Sequence, residues 1–265
     1  MTSSSAIIGS RCMTHRASGV HVTVPAPIYR EDWPYSTVQP NQALLRYMDF
    51  WKFEDLFQTQ SLYFSRADKF DDSLEGMPSP EGVQGTSASD LAFQKTALRV
   101  EPSYQDQLDY RAIAKGCTFV NCWHINTIDT PEMWDAYTKS CDSVLVVTTA
   151  ERLQASLNQP VMMSPVKYVS SDTPRTEFGE RILFFYKDVS YAFEQEYRLL
   201  VDLMMLGGSV TPANRSDFGR HVPIDLSTLV QFIQPHPKAN TETRDKIEAL
   251  VRRHLPHAKR KDDIA

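Results

Sequence analysis

Between Gly116 and Thr149 the chain reads GCTFVNCWHINTIDTPEMWDAYTKSCDSVLVVTT, and this stretch leaves little freedom in what can surround it. Thr118, Val120, Cys122 and His124 alternate with Phe119, Asn121, Trp123 and Ile125, the period of two that marks a strand. Thr130-Pro131-Glu132 then predicts a helix start. The threonine hydroxyl can cap free N–H groups, proline has the preset φ of a first helical residue, and the glutamate meets the positive end of the helix dipole. Met133, Trp134 and Tyr137 fall on one face of that helix. Ser143 to Thr149 is rich in β-branched residues and predicts a buried strand. A strand, a capped helix and a second strand therefore draw Trp123, His124, Trp134 and Tyr137 into one neighbourhood.

The remaining elements are arranged around this unit. Residues 1–40 are rich in Ser, Thr and Pro and predict a loose leader. Leu44 to Tyr47 predicts a short strand, Trp51, Phe53, Leu56 and Phe57 an amphipathic helix, and Leu62 to Ser65 the next strand. The run MPSPEGVQGTSAS from Met77 predicts a mobile loop, and Asp90–Arg99 and Tyr104–Lys115 predict helices. After the central unit come a helix over Ala150–Leu157 and a strand over Val161–Val169 interrupted by Pro165. Tyr191 to Val201 leads into another strand, with His221–Leu226 and Leu229–Gln234 as the last candidates. Asn240 caps a closing helix whose Ile247, Leu250, Val251 and Leu255 face inward. Interspersed short strands and helices predict an α+β fold. It is read as a single mixed domain over 41–256, with a central, mostly antiparallel sheet, flanking helices and a basic tail at 257–265.

A chain of 265 residues can bury a sizeable core. Its formal charge of −5 gives no global attraction to nucleic acid or anionic lipid, and its one basic cluster, Arg252 to Lys261, suits a solvated helix end. Cys12, Cys117, Cys122 and Cys141 form no CxxC pair and no zinc spacing, so they read as small buried hydrophobes in a reducing compartment. No apolar run is long enough to span a bilayer, which makes the expected location cytoplasmic.

Each chemical candidate has a plain packing reading beside it. Glu194, Glu196 and Arg198 alternate, as residues on one strand face would. A carboxylate there suits an oxocarbenium-like centre, and neighbouring arginines suit a pyrophosphate. The same residues also read as an ion-paired strip on a half-exposed strand, although Phe193, Tyr197 and Leu199 to Val201 speak for burial. His124, at a strand end beside Trp123, suits a general acid or base, and equally a hydrogen-bonded packing residue. Trp134 and Tyr137 suit stacking on a base, and equally plain core. Arg46 and Tyr47 follow two leucines at a strand end, which suits a site or a surface ion pair. Asp68, Asp71, Asp72 and Glu75 offer oxygen ligands without the spacing of a calcium loop, and no metal is expected. GxGxxG, the P-loop, GxSxG and HExxH are all absent.

Several phrases together resemble a bacterial family of unknown function, DUF2971. They are LLRYMDFWKFEDLFQTQSLYFSRADKFDDSLEG, NCWHINTIDTPEMWDAYTKSCDSVLVVTT, VKYV, FEQEYRLLV and VQFIQPHP followed by a helix, over roughly residues 44 to 254. That resemblance names no reaction. A second one, to ADP-ribosyltransferases, rests on order: Arg46, then Ser65 or Tyr63, then Glu196. No Ser-Thr-Ser triplet stands at Ser65 and no Gly follows Arg46. It implies NAD as donor substrate, a macromolecular or small-molecule acceptor, Glu196 as catalytic carboxylate, and Arg46 with Ser65 or Tyr63 on the donor. By their own placement, His124 joins as a catalytic candidate, and Tyr47, Arg66, Trp123, Trp134, Tyr137, Glu194 and Arg198 as further donor-binding candidates. The competing expectations are a non-catalytic nucleotide- or protein-binding module in bacterial stress or phage defence, and a metal-dependent phosphodiesterase or nuclease using Asp71, Asp72 and Glu75.

Overall fold

The computed structural model describes residues 38–70, 75–77, 112–170, 182–203 and 218–256, all within the compact unit Ser36–Ala265. The fold is α+β, with a mostly antiparallel, open sheet of eight strands. In chain order these are β1 (Ala43–Asp49), β2 (Ser61–Arg66), β3 (Thr118–Ile125), β4 (Ser143–Thr149), β5 (Met162–Pro165), β8 (Glu196–Asp202), β9 (Gly219–Pro223) and β10 (Phe232–Pro235). Two short strands, β6 (Lys167–Val169) and β7 (Tyr186–Asp188), form a separate parallel ribbon. The central unit matches its sequence reading at both strands and at the helix Pro131–Tyr137, where the Thr130 hydroxyl accepts from the Met133 N–H.

The sheet has a fork in it. β8 runs along one edge of β3, from Thr118 opposite Asp202 to His124 opposite Glu196. The other edge of β3 is shared. β2 pairs there only at Val120 and Phe119, and β1 only at His124 and Ile125. Asn121, Cys122 and Trp123 meet neither strand on that edge. β1 and β2 therefore diverge, joined at one end by the helix α1 (Phe50–Thr59). Asn121 partly spans the gap: its Nδ2 donates to the Tyr63 carbonyl at 2.8 Å, and its Oδ1 accepts from Trp123 Nε1 at 2.9 Å.

Apolar side chains cover both sheet faces. The larger core takes Leu44 and Met48 from β1, Phe53, Leu56 and Phe57 from α1, Phe119 and Trp123 from β3, and Leu199 and Val201 from β8. Ile247 reaches it from the closing helix Thr241–His254, capped by Asn240 as expected, and Leu255 from just past that helix. A smaller core on the opposite face joins Leu45, Tyr47 and Leu145 to Met133 and Trp134.

Four local readings need correction. Val161–Val169 is two strands in different sheets, because Val166 follows Pro165 and gives its N–H to the Glu196 carbonyl. His221–Leu226 does not continue as a strand: β9 ends at Pro223, and Asp225 caps a helical turn, Leu226–Leu229. Glu194 lies off the strand, as the last residue of a 3-10 turn, Val189–Glu194, that leaves Phe193 exposed. Cys141 is exposed too, while Cys117 is buried and Cys122 half-buried. The sequence-based helix Asp90–Arg99 and most of the loop after Met77 lie outside the described residues.

Candidate functional site

A cavity of about 500 Å³ occupies the fork. Arg46, Tyr47, Tyr63, Ser65, Trp123, His124, Tyr137, Glu194 and Glu196, all candidates from the sequence, line it. Trp51, Lys52, Asp55, Asn121, Cys122 and His221 join them. Three candidates do not line it. Arg66 is buried with its Nε on Asp68 at 2.6 Å, Trp134 is packed with its indole N–H on Asp129, and Arg198 is enclosed behind Glu196. Among the described residues no group of three His, Cys, Asp or Glu side chains is placed to hold a metal ion. Glu75 pairs with Arg198, and Asp71 and Asp72 lie outside the described residues.

The pleat decides which wall each side chain joins. Leu44, Arg46 and Met48 alternate onto the face of the larger core, so strand register places a guanidinium among apolar side chains. Arg46 lies over the Trp123 ring at 5.7 Å. Its Nη1 is shut off from water and has no hydrogen-bond partner among the described residues. Burial lowers its pKa to about 10, slightly offset by Cys122. Lys52, in the first turn of α1, has its pKa lowered by burial despite Asp49 at 3.9 Å, with Arg46 adding repulsion. An N–H sealed from water without an acceptor is costly, and no carboxylate among the described residues balances this cation. Trp51, 62% exposed, and Tyr63, packed edge-on against His221, stand among the lining as aromatic surfaces.

On the opposite sheet face lies a cluster of paired charges. Glu196 Oε1 accepts from Lys187 Nζ at 2.7 Å, and its Oε2 accepts from Arg198 Nε at 2.6 Å. Lys187 also pairs with Glu194, and Arg198 pairs with Glu75 while donating to the Phe184 carbonyl at 2.5 Å. Gln195, at φ 40°, turns the backbone between the two glutamates and lets both reach one ammonium. Burial would push Glu196 up, but Arg198, the hydrogen bond from Glu194 and Lys187 hold it well below the usual carboxylate range. Glu194 goes the other way. Burial and its bond to Glu196 raise it to about 7 despite Lys187. Burial, then Glu196 and Glu194, push the Tyr137 hydroxyl far above its ordinary value. Burial and Glu196 do the same to the Cys122 thiol.

His124 has both ring nitrogens engaged. Nδ1 lies 2.6 Å from the Glu194 carbonyl, which can only accept, so Nδ1 carries the hydrogen. Nε2 faces the Asn126 amide at 3.2 Å, whose Oδ1 is taken by the N–H groups of Thr127 and Ile128. In this arrangement His124 ties the end of β3 to the turn before β8. Lys187 and Lys52 escaped the sequence reading altogether. A lone lysine closing the apolar run Ile182–Tyr186 was the available signal for the first. For Lys52 nothing distinguished it from an ordinary helix lysine.

The chain matches no protein-family model and no curated protein.

Proposed function

We propose that the cavity binds a nucleotide, with NAD as the ADP-ribosyl donor of a transferase reaction. The observation that carries the reading is that Arg46, a cation with no carboxylate partner among the described residues, lines the same cavity as Glu196. A phosphate would pair with that guanidinium at the cavity wall, with Lys52 as a second cation. Trp51, Tyr63 and Tyr137 supply ring surfaces for a base or nicotinamide. Glu196, held ionised, would oppose positive charge at the ribose carbon as the bond to nicotinamide breaks. The order shared with ADP-ribosyltransferases supports the same assignment, within a DUF2971-like chain.

A second reading has its own observation. Both Glu196 oxygens already face cations, so the carboxylate has less field to offer a substrate. In that reading the pocket binds a nucleotide and leaves it intact, as a sensing module would. Incubation with labelled NAD separates the two. The transferase reading expects nicotinamide release by the wild type and its loss in Glu196→Gln; equal release by both proteins removes it. A melting temperature raised by ADP or NAD, with the nucleotide recovered whole, leaves the binding module. Absence of any shift with either nucleotide removes the pocket itself as a nucleotide site.

A further inference from the structure

The two glutamates of the cavity are not equivalent. Lys187 is shared between them, whereas of the two Arg198 bonds Glu196 alone. Among the described residues the buried cluster holds the carboxylates of Glu75, Glu194 and Glu196 against the cations of Lys187 and Arg198. Glu194 has Lys187 alone where Glu196 has both Lys187 and Arg198, so Glu194 is the less compensated of the two. Other titratable groups face the same pair. Tyr137 and Cys122 stay protonated, and the Tyr168 hydroxyl accepts from the Glu196 N–H. His124 bonds the Glu194 carbonyl rather than its carboxyl. Glu194 is raised to about 7, so it can hold or release a proton close to neutrality.

We infer that the cavity also hydrolyses purine nucleotides, Glu194 donating a proton to the departing base while ionised Glu196 faces the ribosyl centre. The inference rests on the nucleotide-pocket reading and names a second substrate class for it. Nicotinamide leaves NAD as a neutral ring and requires no proton. A purine leaves with the electron pair of its C1′–N9 bond and is a poor leaving group unless a ring nitrogen is protonated. An acid and a carboxylate held in different states by their surroundings suit that second bond. The step balances. The C1′–N9 electrons go to the base, the Glu194 proton goes to a base nitrogen, and water adds to C1′. The water then returns its proton to Glu194, giving free base and ribose phosphate. Arg46 would take the 5′-phosphate across the fork, in a cavity of suitable volume.

The test follows free adenine and guanine released from AMP and GMP by the full chain, from about pH 5.5 to about pH 8.5, beside nicotinamide release from NAD. Base release should fall as pH passes about 7, the value to which Glu194 is raised, because the proton donor is lost. Glu194→Gln, shown folded by its melting transition, should lose base release on the order of 10²-fold. If that variant does not fold, the wild-type pH profile decides. No purine release from a wild type whose melting temperature still rises with ADP overturns this inference alone. Release that ignores pH across that range overturns it too. Absence of the ADP shift itself removes the nucleotide pocket, and this inference with it.

Discussion

The two walls of the cavity carry charge in opposite ways. On the wall of Glu194 and Glu196 every described charge has a built-in counter-charge: Lys187 lies between the two glutamates, and Arg198 between Glu196 and Glu75. On the wall of Arg46 register alone holds the guanidinium among leucine, methionine and tryptophan, with one nitrogen unpartnered. A balanced cluster can be structural, and its removal leaves orphaned charge. An unbalanced cation costs the folded state and gains only when something else arrives. On the proposed reading, one wall holds its carboxylates in place with built-in cations and the other leaves a cation for the ligand's anion.

The largest expected effect probes the balanced wall. Arg198→Met leaves Glu196 and Glu75 buried without their shared cation, and should lower unfolding free energy by about 3–5 kcal/mol in a denaturant titration. Arg46→Met should change it by less than about 1 kcal/mol, because an apolar side chain suits its surroundings at least as well. Similar losses in the two variants would break the comparison. Arg46→Met should instead weaken ADP binding, measured by calorimetry, by about 10-fold or more, the worth of a charge-assisted bond. Undiminished affinity would move the anion site away from β1.

The pH dependence of stability sharpens the same contrast within one wall. Glu194 has a folded pKa of about 7 against an ordinary 4.5. Its contribution is therefore fully present below about 4.5 and lost as pH rises through about 7. Glu196 is shifted downward, so its contribution is present above the ordinary carboxylate range and lost only in strong acid. Thermal melts should show stability declining from about pH 5 to pH 8, and Glu194→Gln should flatten that slope while leaving the acid limb. The smallest effect belongs to the cavity's aromatic lining. Trp51→Ser removes a ring that is 62% exposed, and should leave the melting temperature within about 1 °C while weakening ADP binding a few-fold.

Where periodicity and capping act locally, the sequence was legible. Thr118–Ile125, Pro131–Tyr137 and Ser143–Thr149 have the bounds that alternation, Thr130-Pro131 and β-branching imply. The gathering of Arg46, His124 and Glu196 around one cavity was legible only as order along the chain. The fork that gathers them depends on which edge of β3 each strand pairs with, and no single-strand pattern carries that. Glu194 was misplaced onto a strand because Gln195 takes a left-handed conformation with no glycine to announce it. Phe193 reads as core by type, yet the 3-10 turn directs it outward. Lys187 had no motif around it, although it holds both glutamates.

Gly76 lies at φ +72°, and a Cβ built there would come within 2.4 Å of the Phe184 ring. The carbonyl of that same Phe184 accepts from Arg198, and the neighbouring Glu75 pairs with it. Alanine at this position would therefore act as a remote wedge, tilting the phenyl ring, loosening the arginine's anchor and slackening Glu196 without replacing any residue that lines the hollow.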